Sequence, residues 1–312
     1  MSRRRLVAVV GATATGKTAL AIAVARTLDG EIISADSRQV CRGMDIGTAK
    51  PSRKERAAAR HWLIDVCAPN EPFTLAAFMD LAGAALDDIW SRGKTPVVAG
   101  GTGQYVWSLL EGWRVPRVPP DRALRRELEA RAEREGTAAL VEELRAIDPS
   151  SALAIDARNV RRLIRAIEVT RVTGRPFSEW RRRDTPAFGA TIIGLRMERA
   201  ALYRRIDARV DGMVERGLVE EVRGLTAAGY GCDLPPMRSI GYAEVCAHLR
   251  REMTLEAAVA RIKTEAHRLA RMQHTWFRVD DPRIRWLDSD APDLMERALA
   301  ISTSGSGETL KD

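Results

Sequence analysis

Short runs of β-branched and other apolar residues alternate with longer amphipathic patterns along the first hundred residues of the chain. The runs predict strands at 6–10, 31–35 and 95–99, and a later run predicts a strand at 191–195. Helical patterns cover 19–28, 75–90, 159–173 and 255–277. Strands that alternate with helices predict an α/β fold with a parallel sheet flanked by helices, whose ligands bind beyond the carboxyl ends of the strands.

The pattern changes after Pro116, where prolines at 119 and 120 interrupt the chain. From there to about residue 180 only helical patterns occur, which predicts an all-helical insertion at 117–186 within a core formed by 1–116 and 187–301. Residues 117–183 include 16 basic and 11 acidic residues and so carry +5 of the net charge of +8. Small polar residues at 302–312 predict a disordered tail.

Composition narrows the class of protein. Of the 312 residues, 45% are hydrophobic and 29% are charged, as in an ordinary globular protein, and neither a membrane span nor a secretory signal is predicted. The 50 basic residues outnumber the 42 acidic ones, which favours a polyanionic partner. Cys41, Cys67, Cys232 and Cys246 are widely spaced and the four histidines show no metal-ligand spacing, so we expect reduced cysteines, a cytoplasmic location and no zinc site.

The loop between the first predicted strand and the first predicted helix carries the strongest chemical signal. It reads GATATGKT and satisfies G-x-x-x-x-G-K-[ST], in which loop amides surround phosphates, the lysine neutralises them and the hydroxyl coordinates Mg²⁺. The candidate phosphate-binding residues are Gly11, Ala12, Thr13, Ala14, Thr15, Gly16, Lys17 and Thr18. The motif predicts a di- or triphosphate ligand but identifies neither the attached group nor the bond that breaks.

The ends of two other predicted strands bear on the reaction. An ATPase of the usual type has a strand that ends in an aspartate supporting Mg²⁺, whereas the strand at 95–99 is followed by Gly100, Gly101 and Thr102. This difference weakens a prediction of nucleotide hydrolysis. The strand at 31–35 is followed by Asp36, whose carboxylate is suited either to act as a base toward a substrate held at the phosphate loop or to cap the next turn.

Seven further motifs follow GATATGKT along the chain. They are SADSRQVCRGMDIGTAKP (34–51), VAGGTGQY (98–105), EGW (111–113), NVRRLIRAIEV (159–169), RRIDARVDGM (204–213), LPPMRSIGY (234–242) and QHTWF (273–277). Together, in this order, they resemble the tRNA dimethylallyltransferases, also called tRNA isopentenyltransferases. The resemblance runs from about residue 7 to residue 287, and the block GMDIGTAKP is highly specific.

The resemblance implies an enzyme that moves a dimethylallyl group from its diphosphate to the exocyclic amine of the adenine just 3′ of a tRNA anticodon. The phosphate loop then holds a diphosphate leaving group, so no phosphoryl bond is cut and the missing strand-end aspartate is explained. The resemblance also implies roles for particular residues: Asp36 is the general base, and Thr102 orients the amine or the diphosphate. Arg209 contacts the diphosphate, and Mg²⁺ binds at Thr18.

The acceptor adenine is stacked in the anticodon loop and must be flipped out to react. By the resemblance, the residues that face tRNA are Asp36, Ser37, Arg38, Gln39, Arg125, Arg161, Arg162, Leu163, Ile164, Arg165, Arg238, Ser239, Ile240, Gly241, Tyr242 and Ala243. From helical spacing alone, Arg161, Arg162 and Arg165 fit a nucleic-acid surface and a solvated helix face equally well. The implied partners are tRNA and dimethylallyl diphosphate, and we expect a monomer.

Three alternative functions stay open from the sequence. An adenylate prenyltransferase of the cytokinin type shares the core but acts on a free nucleotide, which gives a basic helical insertion nothing to bind. A small-molecule P-loop kinase should turn over ATP. An RNA-binding module with a relict phosphate loop would have no use for intact Lys17, Thr18 and Asp36.

Overall fold

The chain divides into two compact units. The computed structural model describes residues 4–304, except for the side chain of Arg181. One unit consists of the residues up to Leu110 together with those from Pro186 onward, and the other is Glu111–Thr185. The first is an α/β core and the regular structure of the second is helical, so both predicted classes are confirmed. The predicted insertion, 117–186, begins inside the second unit and ends one residue beyond it.

A parallel sheet forms the centre of the core. Its strands are β1 (Arg4–Gly11), β2 (Gly30–Ser34), β3 (His61–Trp62), β4 (Thr95–Gly100), β5 (Phe188–Arg196) and β6 (Ile284–Asp288). Their order in space is β3-β2-β4-β1-β5-β6, and every neighbouring pair is parallel. The carboxyl ends of β2, β4 and β1 are therefore adjacent, and the three polar loops singled out in the sequence follow these three strands.

The strands predicted from apolar runs are the central ones. Residues 6–10 of β1 are buried, and β1 pairs with β4 on one side and β5 on the other. Burial on both faces of a parallel sheet explains why these strands read as continuous apolar runs rather than as alternating patterns. The two strands that the sequence did not reveal, β3 and β6, are short and lie at the two edges of the sheet.

Thirteen helices are assigned within residues 4–304. They are α1 (Lys17–Thr27), α2 (Arg53–Ala58), α3 (Leu75–Ser91), α4 (Gly103–Leu110), α5 (Arg122–Glu135), α6 (Thr137–Ile147), α7 (Pro149–Ala154), α8 (Val160–Thr173), α9 (Arg199–Glu215), α10 (Leu218–Ala227), α11 (Tyr242–Leu249), α12 (Leu255–Trp276) and α13 (Leu294–Thr303), with 3₁₀ helices at Phe177–Arg181 and Pro236–Arg238. Within the same residues, no helix has both the length and the apolar composition that a membrane span needs.

Separate apolar clusters stabilise the two units. In the core, one cluster packs α1 against the sheet, and another joins α9–α12 to the loop that follows β2 through residues such as Val40, Met44 and Met237. In the second unit, α5–α8 bury their own cluster, which includes Leu128, Leu144 and Leu163. The loop after β2 is thus held in place by helices that come much later in the chain.

Two sequence expectations are corrected by the structure. Residues 302 and 303, predicted as the start of a disordered tail, form the end of α13, and their hydroxyls donate to the carbonyls of Ala298 and Leu299 one turn earlier. The remainder of that predicted tail, from 305 onward, lies outside the described residues. Cys232 and Cys246, expected to be reduced, form a disulfide because α11 brings their Cα atoms within 6.0 Å. Cys41 and Cys67 are free and buried.

Candidate active site

The phosphate loop connects β1 directly to α1. Gly11, Ala14 and Gly16 have φ angles of +140°, +63° and +92°, and a side chain on Gly11 would collide with the carbonyl oxygen of Leu195. The loop closes on the carbonyl of Ala12, which accepts hydrogen bonds from Thr15 Oγ1 at 2.9 Å and from Lys17 Nζ at 2.6 Å. No side chain caps α1, so amides of its first turn stay available to an anion. Residues 11–18 therefore form the strand–loop–helix arrangement that their sequence predicts.

Side chains from distant segments tie the phosphate loop to the ends of β2 and β4. Gln273, on α12, accepts a hydrogen bond from the amide of Thr13 at 2.7 Å and donates one to the carbonyl of Gly101 at 3.0 Å. Thr102 Oγ1 accepts a hydrogen bond from the amide of Ser37 at 3.1 Å. The candidate residues from three strand ends are thus held in one hydrogen-bonded assembly.

Asp36 uses its two carboxylate oxygens differently. Oδ1 accepts hydrogen bonds from the amides of Arg38, at 2.8 Å, and Gln39, at 3.3 Å, and so caps the turn after β2. Oδ2 has no hydrogen-bond partner among residues 4–304. The capping alternative raised by the sequence is therefore observed, but it occupies one oxygen and leaves the other available to a substrate.

Two positively charged side chains, Lys17 and Arg209, lie beside the phosphate loop, and neither forms an ion pair with a carboxylate of the described residues. Burial, reinforced by the repulsion of Arg209 and opposed by Asp36, lowers the pKa of Lys17 to about 7. Burial also lowers the pKa of Arg209. The charge of Asp36 opposes this decrease, and the charges of Arg216 and Arg205 add to it. Within the described chain, no carboxylate lies within ion-pair distance of Lys17 or Arg209. Two partly buried cations in this state are stabilised by an anion that binds between them.

The donor set for a metal is small. The described residues contain no group of three or more His, Cys, Asp and Glu side chains that could hold a metal ion by themselves. Thr18 offers one partly buried hydroxyl in the first turn of α1, with no hydrogen bond to the rest of the described chain. Mg²⁺ commonly takes one or two protein ligands together with substrate phosphates and water. Thr18 therefore fits a Mg²⁺ ion that arrives with a bound diphosphate.

The loop GMDIGTAKP is held by two sets of polar contacts, one at Glu221 and one at Lys50. The carboxylate of Glu221 on α10 accepts hydrogen bonds from the amides of Asp45, Ile46 and Gly47 at 2.9, 2.7 and 3.2 Å, and also from the Tyr242 hydroxyl. The Lys50 ammonium is buried and donates to the carboxylates of Asp45 and Asp65 and to a backbone carbonyl. At Gly47, a Cβ atom would lie 2.5 Å from the ring of Tyr242. These contacts give Gly47 and Lys50 a structural role in this loop.

The predicted tRNA-facing segment 238–243 joins a 3₁₀ helix to α11. Arg238 is exposed, whereas Gly241 and Tyr242 are buried and Ser239 bonds locally to the carbonyl of Pro236. The buried side chain of Tyr242 is directed to Glu221, and the predicted contact of this residue with tRNA stays a prediction. Ile240 and Ala243 are partly buried. The disulfide between Cys232 and Cys246 closes the chain around this segment.

The predicted tRNA-binding residues of the helical unit separate into three groups. Arg161 and Arg162, in the first turn of α8, are exposed and have no ion-pair partner in the part of the chain that the structure describes. Leu163 and Ile164 are in the core of the unit. Their side chains are therefore packed inside the unit, and their predicted contact with tRNA stays a prediction.

Arg125 and Arg165 have an internal partner instead. The carboxylate of Glu168 is fully buried and accepts two hydrogen bonds from Arg125, at 2.8 and 2.7 Å, and one from Arg165 at 2.6 Å. It also accepts one from the amide of Asp121 at 2.7 Å. These hydrogen bonds outweigh the effect of burial and hold the pKa of Glu168 below its ordinary value. The geometry favours a structural role for both arginines, and their predicted contact with tRNA stays a prediction.

Several residues that hold the predicted site residues in place were not identified from the sequence. Gln273 and Glu168 lie inside motifs that the sequence singled out, QHTWF and NVRRLIRAIEV, but single side chains there gave no indication of their partners. Glu221 is not part of a motif identified in the sequence, and it is 174 to 176 residues away from the backbone amides that it binds. Arg205 is one helical turn before Arg209 and reaches the phosphate loop, as described below. The helical spacing of the two arginines was the available signal.

Comparisons with known proteins agree with this geometry. The family profile described as IPP transferase matches residues 39–280, and the one described as Isopentenyl transferase matches residues 4–70. The tRNA dimethylallyltransferase of Roseiflexus castenholzii is 51% identical over 296 residues, or 95% of this chain and 96% of that protein. The tRNA dimethylallyltransferase of Chloroflexus aurantiacus is 51% identical over 273 residues, or 88% of this chain and 92% of that protein.

Solved structures share the fold. The tRNA isopentenylpyrophosphate transferase of Bacillus halodurans matches with a TM-score of 0.71 and 40% identity over 97% of this chain and 95% of that one. A eukaryotic dimethylallyltransferase acting on tRNA matches with a TM-score of 0.83 and 27% identity over 96% of this chain and 79% of that one. With a profile match over most of its length and relatives at half identity, this chain belongs to the IPP transferase family, together with the tRNA dimethylallyltransferases that it matches.

Proposed function

We propose that this chain transfers a dimethylallyl group from dimethylallyl diphosphate to the exocyclic amine of the adenine 3′-adjacent to the anticodon in tRNA. The products are isopentenyladenosine in tRNA and free diphosphate. The observation that carries the proposal is the phosphate loop flanked by Lys17 and Arg209, two cations without carboxylate partners in the described chain. Family membership supports the same reaction.

The donor diphosphate binds at the phosphate loop. Amides of the first turn of α1, the Lys17 ammonium and the Arg209 guanidinium supply the donors, and negative charge grows on the leaving oxygen as the carbon–oxygen bond breaks. Mg²⁺ on Thr18 would neutralise part of that charge when it is bound. Cations that are already in place cost no reorganisation as the charge develops, which lowers the barrier to departure of the diphosphate.

Asp36 is the base that removes the surplus proton. The adenine amine attacks the first carbon of the dimethylallyl group, so a carbon–nitrogen bond forms as the carbon–oxygen bond breaks and the electron pair leaves with the diphosphate. The nitrogen then carries one proton too many, and Oδ2 of Asp36 accepts it. The hydrogen bonds that Arg38 and Gln39 donate to Oδ1 hold the carboxylate in a fixed orientation.

Thr102 positions a reactant beside this base. Its oxygen already accepts the amide of Ser37, so the hydroxyl hydrogen is directed to another acceptor, for which a diphosphate oxygen or the adenine ring is suited. On the tRNA side, Ser37 to Gln39, Arg238 and the exposed arginines of α8 are the proposed contacts. Because the substrate is tRNA, we place the protein in the cytoplasm, and we propose that it acts as a monomer.

Single-turnover transfer from labelled dimethylallyl diphosphate, with Mg²⁺ present, tests the proposal. We expect prenylation of unmodified tRNA and little or no transfer to AMP, which would be the better acceptor of an adenylate prenyltransferase. Asp36→Asn should lower the transfer rate by about 10²-fold or more while donor affinity stays within about tenfold, because general-base catalysis contributes on that scale.

Asp29→Asn is the matched control, because Asp29 precedes β2 at its opposite end and is paired with Lys94 at the surface. This variant should keep the wild-type rate. Transfer to AMP as fast as to tRNA would contradict the substrate assignment. An Asp36→Asn rate above a few per cent of wild type would contradict the assignment of the base.

A further inference from the structure

A second arginine of α9 reaches the phosphate loop. A methyl group on Gly16, the residue just before α1, would lie 3.7 Å from Nη2 of Arg205. Arg205 is also close enough to Arg209 for its charge to lower the pKa of that guanidinium. The two arginines are four residues apart, so both extend from one face of the helix. Arg205 therefore lies beside the loop that Lys17 and Arg209 flank.

Two acidic residues of α9, Asp207 and Asp211, contact α12. Asp207 lies 2.9 Å from His267, and Asp211 is paired with Lys263, so both contact α12. Asp207 is two residues from Arg205, a rotation of about 200° around a helix. These contacts direct the Asp207 and Asp211 carboxylates to α12 instead of the phosphate loop.

The charge of Arg205 is not neutralised by another side chain of the described residues. Arg205 is exposed and has neither a hydrogen bond nor an ion pair to another side chain within residues 4–304. Its named electrostatic neighbour, Arg209, is itself a cation. Most guanidinium groups of the core that approach other segments do so with a carboxylate partner, as Arg92 does with Glu31 and Arg196 with Asp288. Positive charge placed against positive charge at a phosphate loop is the arrangement of an anion-binding residue.

We propose that Arg205 is a second diphosphate-binding arginine, which contacts the donor diphosphate and the diphosphate product from the outer side of the phosphate loop at Gly16. The inference rests on the proposed function, since it assigns a further ligand of the same diphosphate. Arg209 is the more enclosed of the two, whereas Arg205 is exposed and so can engage the diphosphate before it is fully enclosed. Its contact exists in substrate and product alike, so it contributes to affinity more than to the rate of the chemical step.

Binding of inorganic diphosphate and of dimethylallyl diphosphate, measured by isothermal titration calorimetry with Mg²⁺, tests this assignment. Arg205→Ala should weaken the binding of both ligands by about tenfold. This is the lower end of the range for loss of a charge-assisted hydrogen bond, because Arg205 is exposed. Its KM for the donor should rise by a similar factor while kcat changes by less than about threefold. Arg205→Lys keeps the charge but not the paired donors, and should recover part of the loss.

Arg204→Ala is the control, because Arg204 is the adjacent exposed arginine and its charge acts on Glu198 at the start of α9. It should bind diphosphate as the wild type does. Equal weakening by Arg204→Ala and Arg205→Ala, or no weakening by Arg205→Ala, would overturn the assignment of Arg205. A wild-type protein that binds neither diphosphate nor the donor would contradict the proposed function instead, so the two failures are distinguishable.

Discussion

The salt dependence of tRNA binding should separate the exposed arginines of α8 from the paired ones. Arg161 and Arg162 have no partner within the described helical unit, whereas Arg125 and Arg165 are bound to buried Glu168. If the first two contact tRNA phosphates, each contact contributes about 0.7–0.9 to the slope of log affinity against log salt. The double variant Arg161→Ala/Arg162→Ala should therefore have a slope shallower by about 1.4–1.8.

This change in slope is large enough to measure. Over a fourfold increase in salt, from 50 to 200 mM, a slope difference of about 1.6 corresponds to roughly ninefold in relative affinity. The affinity deficit of the variant should therefore shrink by about that factor as salt rises. Fluorescence anisotropy of a labelled anticodon stem-loop, titrated at four salt concentrations, provides the slope.

The matched control removes two arginines that already have surface partners. Arg134 and Arg145 are exposed and paired with Glu135 and Glu142, so Arg134→Ala/Arg145→Ala changes the net charge equally. Its slope should stay near that of the wild type. An unchanged slope in the Arg161/Arg162 variant, or an equal change in the control, would refute the reasoning and leave the first turn of α8 as a solvated face.

The paired arginines should affect stability instead. Removal of Arg125 and Arg165 together leaves the Glu168 carboxylate buried with one backbone hydrogen bond, and an uncompensated buried charge costs about 3–5 kcal/mol. The double methionine variant should therefore lower the free energy of unfolding of the helical unit on that scale in urea titrations. A loss of tRNA affinity without loss of stability would show that these arginines contact tRNA directly.

Three further predictions follow from the core. Because Lys17 has a pKa of about 7 without donor and a bound diphosphate raises it, donor binding should take up about 0.9 proton at pH 8 and about 0.1 at pH 6. Calorimetry in buffers of different ionisation enthalpy measures this uptake, and Lys17→Met should remove most of it at pH 8, where the donor diphosphate is itself deprotonated. Gly47→Ala should lower stability by about 1–3 kcal/mol because the methyl group collides with Tyr242, whereas Gly83→Ala, in open space on α3, should raise it by up to about 1 kcal/mol in the same thermal melts. Dimethylallyl diphosphate should raise Tm more than ATP at equal concentration, and tRNA-stimulated release of phosphate from ATP would contradict the reading of the loop as a diphosphate site.

The sequence predicts the central sheet and the phosphate loop because both depend on local patterns. The central strands are buried on both faces and read as apolar runs, and the loop has a fixed spacing of glycines and lysine. The edge strand β6 reads IRWLD, five residues in which Arg285 and Asp288 interrupt the apolar positions without strict alternation. So short and irregular a segment carries too little periodicity to be distinguished from a loop.

Contacts between distant residues account for what the sequence left undetermined. The motif around Arg165 looked like a basic surface because a sequence shows charge but not the partner, and Glu168 is in the same motif. Likewise, the pairing of Cys232 with Cys246 depends on how the 3₁₀ helix turns the chain before α11, which no spacing rule specifies. The family resemblance supplied the proposed reacting residues, whereas the hydrogen bonds that hold them became visible only in three dimensions.

Gln273, which links Thr13 to Gly101, is synthesised long after both of these residues, so this part of the active site forms late during translation. Gly101 and Gln273 are separated by 172 residues, which a ribosome adds in roughly 9 to 34 seconds. Throughout that interval the nascent phosphate loop lacks the side chain that links Thr13 to the end of β4, and before residue 188 β1 also lacks β5. A chain that stops before α12 keeps the whole GATATGKT motif but not the bridge. Premature termination should therefore give fragments that compete poorly for the donor, since the hydrogen bond from the Thr13 amide to Gln273 forms only when α12 docks.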